Sequence, residues 1–160
     1  MHALAFDTDR LRKANIHPET LLATDYLNHF NEAIMMLDML ALDPGCLQDL
    51  AEWRPKTYRE HFTDSNFKDR DLAIAAYEAS DSAVRHQLDD LADLMNLLLA
   101  STCEAMQRQP DYASATAEEV SAKLKPLVAK AGAVINGASI EAIASAEGDA
   151  TQACVDAMFE

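Results

Sequence analysis

Residues 23–42 read ATDYLNHFNEAIMMLDMLAL, and this stretch decides the fold. Its apolar side chains recur in alternating steps of four and three, which predicts a long amphipathic helix packed against a core. The positions are Ala23, Leu27, Phe30, Ile34, Leu37 and Ala41. The opposite side is polar at first and rich in methionine beyond. We therefore expect the helix to be exposed at its start and enclosed at its end, with His17-Pro18 marking where it begins.

A second long helix is predicted over residues 83–109, where the same rhythm runs through Val84, Leu88, Leu91, Met95, Leu98, Thr102 and Ala105. Matched apolar stripes suit two helices that pack alongside each other at a small angle. We therefore expect the longest core contact between residues 23–42 and 83–109. Shorter helices are predicted within residues 44–79, aided by a capping box at Thr57, and from a second box at Thr116 to Asn136, with a kink at Pro126.

The fold class follows from this periodicity. The chain has no run of alternating β-branched and aromatic residues, so no strands are expected. Residues 138–148 are small, rich in Ala and Ser, and typical of a linker. The prediction is an all-α protein with a helical bundle of about five helices in residues 1–137, a linker in 138–148 and a C-terminal helical peptide in 149–160.

Charge and cysteine content narrow the function. The formal net charge is −14 with only 13 Lys and Arg, which argues against nucleic acid and against an anionic membrane surface. Cys46, Cys103 and Cys154 are widely spaced without a CxxC pair, as expected for reduced thiols. The apolar runs are too short to span a bilayer. We expect a cytoplasmic protein.

The end of the chain, TQACVDAMF in residues 151–159, has large apolar residues at helical spacing. Val155, Met158 and Phe159 would form one apolar edge of a short helix that can lie in a groove, while Asp156 pairs with a basic residue on the rim. A chain end that docks on its own bundle has the same pattern.

This segment resembles the S-Q-x-[DE]-[IV]-D-A-[LM]-[LF] segment of two families of bacterial motility proteins, the flagellar switch protein FliM and the chemotaxis phosphatase CheZ. Thr151 stands where Ser is usual, and Cys154 occupies a position that is usually acidic. The resemblance implies binding to a phosphorylated CheY-like response regulator through Gln152, Val155, Asp156, Ala157, Met158 and Phe159. It covers only these few residues, and the helical body shows no such resemblance.

The bundle does not carry the expected catalytic patterns. In CheZ-type phosphatases an acidic residue and a glutamine lie four apart, whereas Glu104 and Gln107 are three apart. Asp25 with Asn28, and Asp93 with Asn96, fit the acid-x-x-Asn pattern of the CheC and CheX phosphatases, whose fold is different. No GxSxG motif or glycine-rich phosphate loop occurs. We expect an adaptor and not an enzyme, leaving open whether binding leads to dephosphorylation.

A second interpretation rests on two polar stripes with the same spacing, i, i+4 and i+7. They consist of Asp25, His29 and Glu32 on the first long helix and of His86, Asp90 and Asp93 on the second. If the stripes face each other, they would suit a divalent transition metal. His29 on an exposed helix face could instead accept a phosphoryl group, as in histidine phosphotransfer domains. The plain alternative is a solvated face.

Two further features concern partners. The run MMLDML in residues 35–40 is apolar on too many sides for a small monomer, so either residues 44–79 or a second subunit should cover it. We expect a homodimer. Residues 53–79 concentrate basic and aromatic side chains, which would serve an acidic partner or internal ion pairs. The basic ones are Arg54, Lys56, Arg59, Lys68 and Arg70.

Overall fold

A computed structural model describes residues 6–138, and seven α-helices and two short 3-10 turns make up most of this part of the chain. The helices are α1 Thr8–Lys13, α2 Leu27–Met39, α3 Cys46–Glu52, α4 Tyr58–Asp64, α5 Arg70–Ala79, α6 Ser82–Arg108 and α7 Ala113–Ile135. The 3-10 turns are Thr24–Tyr26 and Pro110–Tyr112. Within residues 6–138 the only β-pairing is a single bridge between Ile16 and Ala23, which confirms the all-α prediction.

Helix α7 lies at the centre of the bundle, because α2 and α6 both pack mainly on it and touch each other over a much shorter stretch. The short connection at Pro110–Tyr112 folds α7 back along α6. Leu27 lies against Gly132, while Lys125 pairs with Asp38 at 3.1 Å, so α2 runs antiparallel to α7. The predicted main contact between residues 23–42 and 83–109 is therefore wrong, since helices joined by a tight turn pack together first.

The start of α2 also differs from the prediction, because the chain forms a compact turn between α1 and α2 instead of a helix from Pro18. Asn15 and Leu21 have left-handed backbones, with φ of 61° and 63°. His17 directs its Nδ1 at the N–H groups of Glu19 and Thr20, 3.2 and 3.3 Å away. These bonds satisfy the backbone of the turn locally, as Asx-type turns do, and compete with helix formation.

The burial of α2 differs from the prediction at both ends of the helix. His29, near its polar start, is 6 % exposed, whereas Met35, Met39 and Leu42 are 55, 45 and 92 % exposed. The reason is the path of the following segment. Helix α3 packs on α2, and Trp53 at the end of α3 stacks on His29, so residues 44–79 cover the start of α2 and leave these three side chains uncovered.

One of the two predicted capping boxes is present in the structure. The predicted capping box of Thr57 and Glu60 is present, and Asp81 caps α6 by accepting from the N–H of Val84. The second box is wrong, because α7 begins at Ala113 and Thr116 lies inside it. The helix continues through Pro126. No helix within residues 6–138 is both long enough and apolar enough to cross a membrane.

Two glycines at the end of α7 give a matched test of the backbone. A Cβ at Gly132 would meet Leu27 at an ordinary contact distance of 3.7 Å, so Gly132→Ala should stabilise the helix by roughly 0.5 to 1 kcal/mol. Gly137 has φ of +86° with similar space around it. Gly137→Ala should therefore cost about 1 to 2 kcal/mol from backbone strain alone. Urea unfolding of both variants measures the two changes in the free energy of unfolding. Changes of the same sign would contradict the backbone conformation at the end of α7.

Candidate functional site

A cluster of aromatic and polar side chains surrounds His29 in the space between α2, α6 and the irregular segment that follows α3. The imidazole stacks on the indole of Trp53, with ring centres 4.8 Å apart, and meets Phe30 edge-on at 4.7 Å. Trp53 donates from Nε1 to the carbonyl of His29 at 3.3 Å. His29 is thus held by its ring faces and by its backbone.

The polar edge of His29 joins a network centred on the backbone of Lys56. Asn96 on α6 donates from Nδ2 to the Lys56 carbonyl at 2.9 Å, which turns its Oδ1 towards His29 Nε2 at 2.9 Å. Nε2 also lies 3.2 Å from the backbone nitrogen of Lys56, so it donates to Asn96 when it carries the ring proton and accepts from Lys56 when it does not. Tyr26 donates to the same Lys56 carbonyl at 2.7 Å. The network therefore ties α2, α6 and the segment after α3 together.

Burial governs the titration of His29. It lowers the pKa of the imidazole, and the hydrogen bond to Asn96 opposes this only in part. The neutral ring is the form that fits the site. The prediction that His29 lies on an exposed or solvated face is wrong, because its Nε2 faces Asn96 in the interior. A phosphoryl group cannot reach Nε2 without opening this network.

Asp25 belongs to a second contact that the sequence did not indicate. Its Oδ2 lies 3.0 Å from Nε2 of His61, and its Oδ1 accepts from Asn28 at 3.2 Å. His61 is on α4, distant in sequence, and its ring lies within 5.6 Å of the Tyr26 ring centre. No local spacing could have linked two residues brought together only by the packing of α4 on the start of α2.

The six residues of the predicted metal site are not gathered. Glu32, His86, Asp90 and Asp93 are exposed on the outer faces of their helices, while Asp25 and His29 have the separate partners described above. Within residues 6–138 no group of three or more His, Cys, Asp or Glu side chains is placed to hold a metal ion. The rotation of α2 about its axis directs His29 inwards and Glu32 outwards.

The basic and aromatic residues of 53–79 are largely engaged with the protein itself. Lys56 pairs with Asp64 at 3.4 Å and Arg59 with Glu78 at 3.0 Å. Arg54 and Arg70 donate to backbone carbonyls. Tyr77 donates its hydroxyl to both oxygens of the Asp89 carboxylate, at 2.9 and 2.7 Å, and burial raises the pKa of Tyr77 to about 12.

The predicted partner-binding residues, Gln152 and Val155 to Phe159, lie outside the described residues, as do the peptide 149–160 and nearly all of the linker. Comparison of the whole chain with protein-family models, with curated proteins and with solved structures found no match.

The buried His29 should make the fold sensitive to acid. Its pKa is lowered in the folded chain, so the unfolded chain binds a proton at higher pH, and the free energy of unfolding should fall as pH drops below about 6.5. The loss should level off below the folded pKa. Urea unfolding between about pH 7.5 and about pH 5.5 measures this slope, which His29→Gln should reduce.

His86→Gln is the matched control, because His86 is exposed on α6 and its loss should leave the slope unchanged. A His29→Gln variant that keeps the full slope of the wild-type protein would contradict the assignment of acid sensitivity to His29.

Proposed function

We propose that the protein is a signalling adaptor that binds a phosphorylated CheY-like receiver domain through residues 152–159. The observation that carries the proposal is the sequence of the segment itself. Gln152 and the run Val155-Asp156-Ala157 match the receiver-binding pattern, and Met158-Phe159 supply its large apolar end. The peptide would lay this apolar edge into a groove of the receiver, with Asp156 at a basic rim.

The helical body supports this proposal as a scaffold. Its histidines on α2 and α4 have internal partners, in Asn96 and Asp25. Residues 138–148 are rich in small side chains, a composition that suits a flexible connection. Tethering the peptide to a body that is held elsewhere raises its local concentration at the receiver. A peptide that prefers the phosphorylated receiver responds to the signal without any chemistry of its own.

Calorimetric titration against CheY-type receivers, with and without a phosphoryl mimic, tests the adaptor function. Full-length protein should bind the activated receiver more tightly, and a form ending at Gly148 should not bind. Phe159→Ala should weaken binding by about tenfold or more, because a large apolar anchor is lost. His86→Ala, an exposed change on the body, should bind as wild type.

The rival function, metal binding or phosphotransfer through His29 and His86, makes the opposite prediction. It requires sensitivity to His86→Ala and indifference to Phe159→Ala. Equal binding by the full-length and truncated forms would also reject the adaptor, because the contact would then lie in the body.

We also propose that a second copy of the chain covers the apolar stripe of Met35, Met39 and Leu42. Met35 and Met39 are one turn apart on the outer side of α2, and Leu42 is exposed in the turn that follows the helix. Large exposed apolar strips on a small protein mark interaction surfaces. Met side chains adapt well to a matching surface because they are unbranched and polarisable.

Charge on this strip should separate the subunits. Met35→Glu and Met39→Glu together should shift a dimer to monomer in sedimentation velocity, because carboxylates would be buried without partners. Ala83→Glu, which adds a carboxylate to an exposed position in the first turn of α6, should leave the association unchanged. A wild-type protein that is monomeric at every concentration tested would contradict the dimer.

A further inference from the structure

An open cleft of about 500 Å³ lies where the first turn of α4, the end of α5 and the start of α6 meet. Its lining consists of Thr57, Arg59, Tyr77, Glu78 and Arg85. The volume falls in the range of small-molecule sites. None of the functional assignments above uses this cleft.

The wall formed by Tyr77 is rigid. Its ring is stacked on the buried Tyr58, with centres 4.5 Å apart and planes 16° apart. Its hydroxyl is fixed by the carboxylate of Asp89. Tyr58 is fixed in turn, because its hydroxyl oxygen accepts from the N–H of Ala23 at 2.9 Å. These contacts hold the Tyr77 ring in place, so it forms a fixed platform for the charged groups beside it.

Two guanidinium groups lie over this ring. The Cζ atom of Arg59 is 5.8 Å from the ring centre and that of Arg85 is 5.7 Å from it, both within cation–π range. Arg85 is anchored by Nη1, which donates to the carbonyls of Ser80 at 2.9 Å and Tyr77 at 3.4 Å and to the Ser80 hydroxyl at 3.4 Å. All three bonds use Nη1, so the N–H groups of Nε and Nη2 are left for a ligand.

Glu78 is the carboxylate of the lining, and Asp89, which holds the Tyr77 hydroxyl, also interacts with Arg85. Glu78 pairs with Arg59 at 3.0 Å, but the two side chains are 51 and 59 % exposed, so the pair is weak and readily exchanged. With two cations and one anion, the lining is positive on a protein whose net charge is −14. Thr57 adds a donor, because its oxygen accepts from Glu60 while its own hydroxyl proton stays available.

We propose that this cleft binds the phosphoryl group of a small phosphorylated molecule, held by Arg59 and Arg85, with Glu78 as the internal anion that it displaces. A dianionic, tetrahedral group can accept from two guanidiniums and a hydroxyl that approach from different sides, whereas a single carboxylate is satisfied by one fork. The volume leaves room for the rest of a small molecule beside the phosphoryl group. This proposal does not depend on the receiver-binding function.

Titration of the full-length protein with inorganic phosphate, followed by NMR at constant ionic strength, tests the site. Signals of Arg59, Arg85 and Thr57 should shift together. Arg59→Gln should weaken binding roughly tenfold, as expected for one lost charge-assisted hydrogen bond. Glu78→Gln should tighten it, because the competing carboxylate is gone. Both side chains are largely exposed, so neither change threatens the fold.

The chain offers a matched control in the exposed pair of Arg108 and Glu104, 3.7 Å apart on α6 and outside the cleft. Arg108→Gln and Glu104→Gln should leave phosphate binding unchanged. Equal effects of the two arginine variants would show general attraction of charge and overturn the proposal, as would a failure of phosphate to shift the cleft signals.

Three further compounds define the chemical class of the ligand. Adenosine monophosphate should bind at least as tightly as phosphate, and adenosine should not compete. Malonate, a dicarboxylate of similar charge, should bind more weakly. Tighter binding of malonate than of phosphate would overturn the phosphoryl assignment.

Discussion

The structure depends on pairing the partly buried backbone of Lys56. The segment between α3 and α4 has no helical bonds of its own at this point, yet it passes between α2 and α6. An unpaired buried backbone group costs about 1 to 3 kcal/mol. Asn96 and Tyr26 satisfy the Lys56 carbonyl, and His29 and Asn96 face its N–H. This pairing sets where Trp53 stacks and where α4 begins, and so where α4 and α5 lie.

The same constraint explains why the polar start of α2 is a structural element. A histidine and a tyrosine near the start of a helix can belong to a solvated face or a reactive site when judged by spacing alone. Here His29 and Tyr26 face the partly buried backbone of Lys56 and lie inwards, while Glu32 lies outside. Covering one end of α2 in this way leaves the methionine end without cover. Both departures from the expected burial of α2 therefore have one cause.

The sequence predicted what depends on neighbours in the chain. Periodicity located most of α2, α6 and α7, and the capping box at Thr57 formed as expected, because these signals act within a few residues. It did not predict which helices pack on each other, because an apolar stripe can pack on any helix that has a similar stripe. The sequence also does not indicate the cleft, although residues 53–79 concentrate basic and aromatic side chains. Arg85 comes from the next helix, and its approach to Tyr77 exists only after α5 and α6 have folded together.

The cleft and the His29 network share one packed set of rings. Tyr77 stacks on Tyr58, whose ring lies 5.2 Å from that of Tyr26, and Tyr26 is stacked on His29 at 6.0 Å. The Tyr77 platform is therefore built from the same interior that pairs the Lys56 backbone. Immobilising a long side chain on binding costs about 0.5 to 1.5 kcal/mol. Contact with the fixed Tyr77 ring already restrains Arg59 and Arg85 in the folded protein. Part of the entropy of these side chains is therefore lost during folding and not when a ligand binds.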